Sequence, residues 1–152
     1  MNQGMHGLRS DTRGVTPRVL LDQTLRGRRA NIEVPLPANQ YSLLTVIGQD
    51  VVLAAGSVGI EIALYNSANV KGGRALLDIA SFSLTGPMSF KADFVAGSRT
   101  TVSSWCIFES AAGAAAGATA GTALAAGAPP LSRLVIPHNI ISGRIAVYGM
   151  LA

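Results

Sequence analysis

The sequence predicts an all-β fold, an antiparallel β-sandwich, on three observations. After position 30 apolar residues recur with a period of two, and glycine- and proline-rich breaks separate these runs at intervals of about 8–12 residues. No stretch sustains the 3.6-residue period of a helix over several turns. Eight or nine short strands result. A jelly roll is the leading topology, because eight strands fold into two packed sheets whose end loops can carry inserts, and an immunoglobulin-like sandwich is the rival.

Charge divides the chain in the same place. Residues 1–30 hold six arginines and two aspartates and carry the whole formal net charge of +4, so the remainder is neutral. Gly4, Gly7, Gly14, Pro17 and Gly27 break this first part into pieces, with Val19, Leu20, Leu21 and Leu25 as its apolar cluster. It reads as a basic, extended, irregular N-terminal arm. A short helix over 18–28 is conceivable from the spacing of Leu21 and Leu25, but it spans too few turns to carry weight.

Residues 31–152 read as the sandwich domain. Ile32, Val34 and Leu36 alternate with polar or proline positions, and the prolines confine this piece to a sheet edge. Tyr41 to Ile47 and Val51 to Ala55 read as partner strands around a turn at Gly48 to Asp50. The cleanest alternation follows, with Val58, Ile60, Ile62 and Leu64 facing a core and Glu61 and Tyr65 facing away. Further strands are expected at Ala75 to Leu84, at Met88 to Val95 with Phe90 and Phe94 inward, and at Thr100 to Phe108. Residues 110–128 contain eleven alanines and four glycines, a composition that suits a loop or partly ordered insert better than a helix. Leu131 to Ile136 and Ile140 to Met150 close the fold, with Ile145 and Val147 in the core.

With 152 residues and 15.6 kDa the chain makes one domain. Only 13% of its residues are charged, about half the ordinary share, while 49% are hydrophobic. A surface so thinly charged implies burial against copies of itself, as a dimer or trimer, or against a larger partner. The single Cys106 excludes an internal disulfide and a cysteine-rich zinc site, and fits a reducing compartment. No secretory signal is expected, and no membrane span either, since the uncharged stretch 110–128 is alanine and glycine relieved by one leucine.

No catalytic constellation emerges, so the chain is not expected to be an enzyme or to need a cofactor. His6 and His138 have no carboxylate or cysteine at ligand spacing, and His138 reads as a turn residue. No Gly-x-Ser-x-Gly elbow occurs, and Cys106 lies between Trp105 and Ile107 without a nearby base. Val70 to Arg74 could grip an anion through backbone N–H groups, yet a strand connection needs only its glycines. The candidate contacts lie in the arm: Arg9, Arg13, Arg18, Arg26, Arg28 and Arg29 as cations, with Leu20, Leu21 and Leu25 as an anchor. They could neutralise phosphates without reading sequence. Pairing with carboxylates of a neighbouring subunit is the preferred reading, because the arm has no aromatic residue on which a base could stack.

Ile60 to Tyr65 in mid-chain, Leu134 to Pro137, and Arg144 to Tyr148 in the last strand carry a further likeness. With the arm and the Ala/Gly-rich turns, the chain resembles the small cement or decoration proteins of tailed-phage capsids. That resemblance implies a non-enzymatic virion protein, often a jelly roll and oligomeric, assembled in the host cytoplasm. It would clamp adjacent major-capsid subunits from outside the shell. A nucleic-acid-binding β-module, or another phage structural component such as a tail or fibre protein, is the alternative.

Overall fold

The computed structural model describes residues 17–27, 30–36, 41–78, 87–98, 101–110, 113–117, 119–123 and 127–151. Among them the regular elements are eleven strands and no helix. In chain order these are β1 (Arg18–Arg26), β2 (Ile32–Pro35), β3 (Tyr41–Leu53), β4 (Gly59–Asn66), β5 (Lys71–Asp78) and β6 (Met88–Ser98). Then come β7 (Thr101–Ser110), β8 (Gly113–Gly117), β9 (Thr119–Ala123), β10 (Leu131–Ile136) and β11 (Ile140–Leu151). They form two antiparallel sheets. The first runs β1-β11-β3-β6-β7 with β8 on β7, and the second runs β2-β10-β4-β5. Strand β9 pairs with both β5 and β7 and joins the sheets along one side.

Period-two alternation decides which side of each sheet is apolar. In the first sheet Val147, Val46 and Ala92 are cross-strand neighbours, as are Ile145, Gly48 and Phe90, and all six are buried. In the second, Val34, Leu134 and Leu64 make the corresponding row. These rows merge into one hydrophobic cluster with residues from both sheets, as a β-sandwich requires. Burying one such Val, Leu, Ile or Phe side chain is worth about 1.5–3 kcal/mol, so the shared core dominates the stability.

Four expectations need correction. First, the arm does not extend to residue 30, because Arg18–Arg26 is a strand paired along its length with β11, from Arg18 opposite Gly149 to Arg26 opposite Ser142. The first sheet therefore includes Arg18–Arg26, and that stretch is not helical. Second, Gly48 to Asp50 is not a turn. Strand β3 runs through it for thirteen residues, and the irregularity is a bulge between Gly48 and Val51 with Asp50 at a φ of 50°. Third, Val58 is 69% exposed, because β4 starts one residue later and residues 54–58 form a loop. Fourth, the Ala/Gly segment holds two strands, β8 against β7 and β9 against Gly73 to Ala75. Backbone pairing needs no side chain, so small residues suffice there. The remaining expected core residues, Ile60, Ile62, Leu64, Phe90, Phe94, Ile145 and Val147, are buried. No helix among the described residues is long and apolar enough to cross a membrane.

Candidate functional site

The chemistry of this molecule lies on the outer faces of its sheets and along the β1 edge. On the second sheet, register sets Arg133, Tyr65 and Lys71 side by side across β10, β4 and β5. The Arg133 guanidinium carbon lies 4.9 Å from the Tyr65 ring centroid and Lys71 Nζ 5.8 Å from it. Lys71 Nζ donates to the Glu61 carboxylate, and Arg74 Nη1 stands 3.6 Å from the same group. That hydrogen bond raises the Lys71 ammonium above its ordinary value of 10.5. Arg133 also donates to the Asn69 side chain at 2.6 Å and to the Asn66 carbonyl at 3.3 Å, with Glu33 at 3.6 Å. Asn66, wholly buried, accepts from the Ala68 and Val70 amides and so fixes the turn between β4 and β5. The cations of the Val70 to Arg74 segment are thus engaged with Glu61, and their neighbourhood is a polar, solvated sheet face.

The first sheet presents a different outer face. Leu43, Ile47, Tyr148 and Met150 alternate with core residues and stay half-exposed, while Val19 and Val95 are 61% and 46% exposed. A carboxylate sits among them. Asp93 lies opposite Thr45 on β3 and Trp105 on β7, yet it is only 6% exposed. It accepts from Thr45 Oγ1 at 2.6 Å, and Lys91 Nζ lies 3.4 Å from its other oxygen. An outward sheet face with half-exposed apolar residues at its centre is suited to contact with another protein surface.

Strand β1 borders this face. Across it, Arg144 of β11 grips Asp22 with two hydrogen bonds, Nε to Oδ1 at 2.8 Å and Nη2 to Oδ2 at 2.7 Å, and its Nη1 donates to Gln49 at 2.8 Å. The hydrogen bond from Arg144 is the main cause that holds the Asp22 carboxyl below its ordinary value of 3.8, and it raises the guanidinium in turn. Sequence reading missed this clamp, because its partners stand 122 residues apart and only strand register brings them together.

The expected contact residues divide into three groups. Arg18 and Arg26 are exposed at the two ends of β1. Leu20 and Leu21 pack against the core and Leu25 is 2% exposed within it, so the expected anchor is a structural part of the sandwich. Arg9, Arg13, Arg28 and Arg29 lie outside the described residues, as does His6. His138 is the turn residue expected, its amide donating to Asn31 Oδ1 at 2.9 Å between β10 and β11. Cys106 lies in β7 opposite Ala92 and Gly117.

Asp22, Glu33, Glu61 and Asp93 each form an ion pair with a lysine or arginine. Among the described residues no group of three or more His, Cys, Asp or Glu side chains could hold a metal ion. A scan against protein-family models finds none that matches this chain, and a search of curated proteins returns no match.

Proposed function

We propose that this chain is a non-enzymatic structural protein of a virion, a jelly-roll subunit that binds a phage capsid and stabilises it by clamping adjacent major-capsid subunits. The strand order carries this reading. With β7, β8 and β9 set aside as an insertion between β6 and β10, eight strands remain in two sheets of four, β1-β11-β3-β6 and β2-β10-β4-β5. The chain passes from sheet to sheet between β1, β2, β3 and β4, and again between β5 and β6, β6 and β10, and β10 and β11. Such a path supports a jelly roll of two Greek keys, an arrangement common to viral capsid proteins, lectins and cupins. Fold alone does not choose among them. The choice rests on an outer face rich in half-exposed apolar residues, on carboxylates already paired with cations, and on the resemblance to capsid decoration proteins.

A direct test mixes the full chain with empty shells assembled from a tailed-phage major capsid protein, followed by gradient sedimentation. Co-migration at a fixed, saturable ratio, little changed between about 50 and 200 mM salt, is the expected result. Failure to co-migrate would overturn the reading. So would exclusive binding to duplex DNA with an affinity that falls steeply over the same salt range, or co-migration with tails in place of shells.

A further inference from the structure

The hydrogen-bonded strand order ends in β2 at one side and β1 at the other, and the two edges are built differently. Strand β2 is four residues long, ends in Pro35 and exposes Glu33, which are devices that prevent a further strand from pairing. Strand β1 is nine residues long. Its single irregularity falls between Val19 and Leu21, so Leu21 to Arg26 is regular and contains neither proline nor lysine. One side of this stretch pairs with β11, and no described strand pairs with the other.

We infer that the β1 edge is the contact between two copies of this chain, which pair antiparallel about a two-fold axis at Thr24 and join their first sheets into one. Self-complementarity selects the occupant. With Thr24 opposite its own copy, Asp22 meets the partner's Arg26 and Arg26 meets the partner's Asp22, all on the outer face where Asp22, Thr24 and Arg26 are exposed. Cross-strand threonine pairs and opposite charges are favourable neighbours in antiparallel sheets. The registers centred on Asp22, Gln23 and Leu20 fare worse. An axis at Asp22 opposes Asp22 to itself and Arg18 to Arg26, and like charges directly opposite destabilise a sheet. An axis at Gln23 forms no ion pair and sets Arg26 against the bulge at Leu20, whereas an axis at Leu20 lies within that bulge. Asp22 can serve Arg144 and the second copy together, because a carboxylate has about four acceptor positions, and Arg26, which already has a contact within its own chain, has about five N–H donors to share. A contact of this kind is isologous and closes as a dimer, with no open-ended growth. It stands without the capsid reading.

The test uses the full chain. Sedimentation equilibrium is expected to give a dimer, and Arg26→Asp is expected to weaken it about tenfold or more, since the two-fold axis doubles each lost ion pair and adds repulsion against Asp22. Residues directly opposite in an antiparallel pair have Cα atoms about 4.5–5.5 Å apart, within disulfide reach. Thr24→Cys should therefore cross-link to itself on mild oxidation. Val19→Cys, and the unmodified chain with Cys106 four strands away, should not. A monomer at tens of micromolar overturns the proposal, and so does cross-linking through Gln23→Cys in preference to Thr24→Cys. If Arg26→Asp abolishes shell binding but leaves the oligomeric state unchanged, the edge belongs to a capsid strand and the second copy is excluded. Far-ultraviolet circular dichroism of each variant confirms that a lost dimer is not a lost fold.

Discussion

At Gly48 an added Cβ would lie 2.2 Å from Phe90 Cε1, and Phe90, 5% exposed, is held in the core. Gly48 is needed for packing and not for turning, which its neighbours Gln49 and Asp50 concealed in the sequence. Gly48→Ala should cost about 1–3 kcal/mol in urea denaturation, the range for overpacking a tight core. Gly143→Ala should cost more, because a Cβ there would meet the Asp50 carbonyl oxygen at 2.7 Å and the backbone sits at a φ of 110°. Asp22 supplies a pH test. Its carboxyl is lowered in the folded chain, so its contribution is complete above the ordinary aspartate value of 3.8 and is lost as pH falls through the lowered one. Both partners are exposed, so the effect belongs to β1 rather than to global stability. The protection of β1 amides, taken relative to their intrinsic exchange rate at each pH, should fall below that range, and Asp22→Asn should bring the lost protection to neutral pH. Val58 marks the limit of reading residues by alternation. It has the parity of Ile60 and Ile62, but parity cannot say where pairing begins.

Strands whose alternation reflects one buried face were legible, and strands made by distant pairing were not. Leu131 to Ile136 is β10 as expected, and Met88, Phe90, Ala92 and Phe94 of β6 all face the core. Strand β1 hid behind its arginines and flanking glycines, since its partner β11 lies at the other end of the sequence. Strand β8 is alanine and glycine alone and β9 adds only two threonines, so both hid behind a composition poor in the β-branched and aromatic residues that advertise a strand. The candidate site was legible only as a segment. Arg18 and Arg26 are exposed as a contact requires, whereas Leu25 belongs to the core. Leu25→Ala should therefore destabilise the whole domain by about 2–5 kcal/mol. Removing residues 1–29 deletes β1 and should lower the denaturation midpoint sharply below that of a chain lacking only residues 1–16. Equal midpoints for the two truncations would contradict the place of β1 in the sheet.

For the whole molecule, the alternation of one buried and one open face predicted two packed sheets, and the two antiparallel sheets with their shared core agree. Sheet order was not readable, because it depends on partners as far apart in the chain as Arg18 and Gly149, and periodicity is blind to partners. The charge asymmetry takes on a narrower meaning. Asp22 is clamped to Arg144 inside the sheet, and Arg18 and Arg26 mark the ends of an edge strand rather than a free arm. The reading of the chain as a capsid clamp makes a mechanical claim as well as a binding one, since bridging neighbouring subunits must raise the energy needed to part them. The measurement that bears on it most directly is the disruption temperature of shells, followed by light scattering, with and without saturating protein. A clamp raises that temperature in step with occupancy and reaches a plateau when the sites are full. Shells that bind the protein to saturation and break at an unchanged temperature would contradict it.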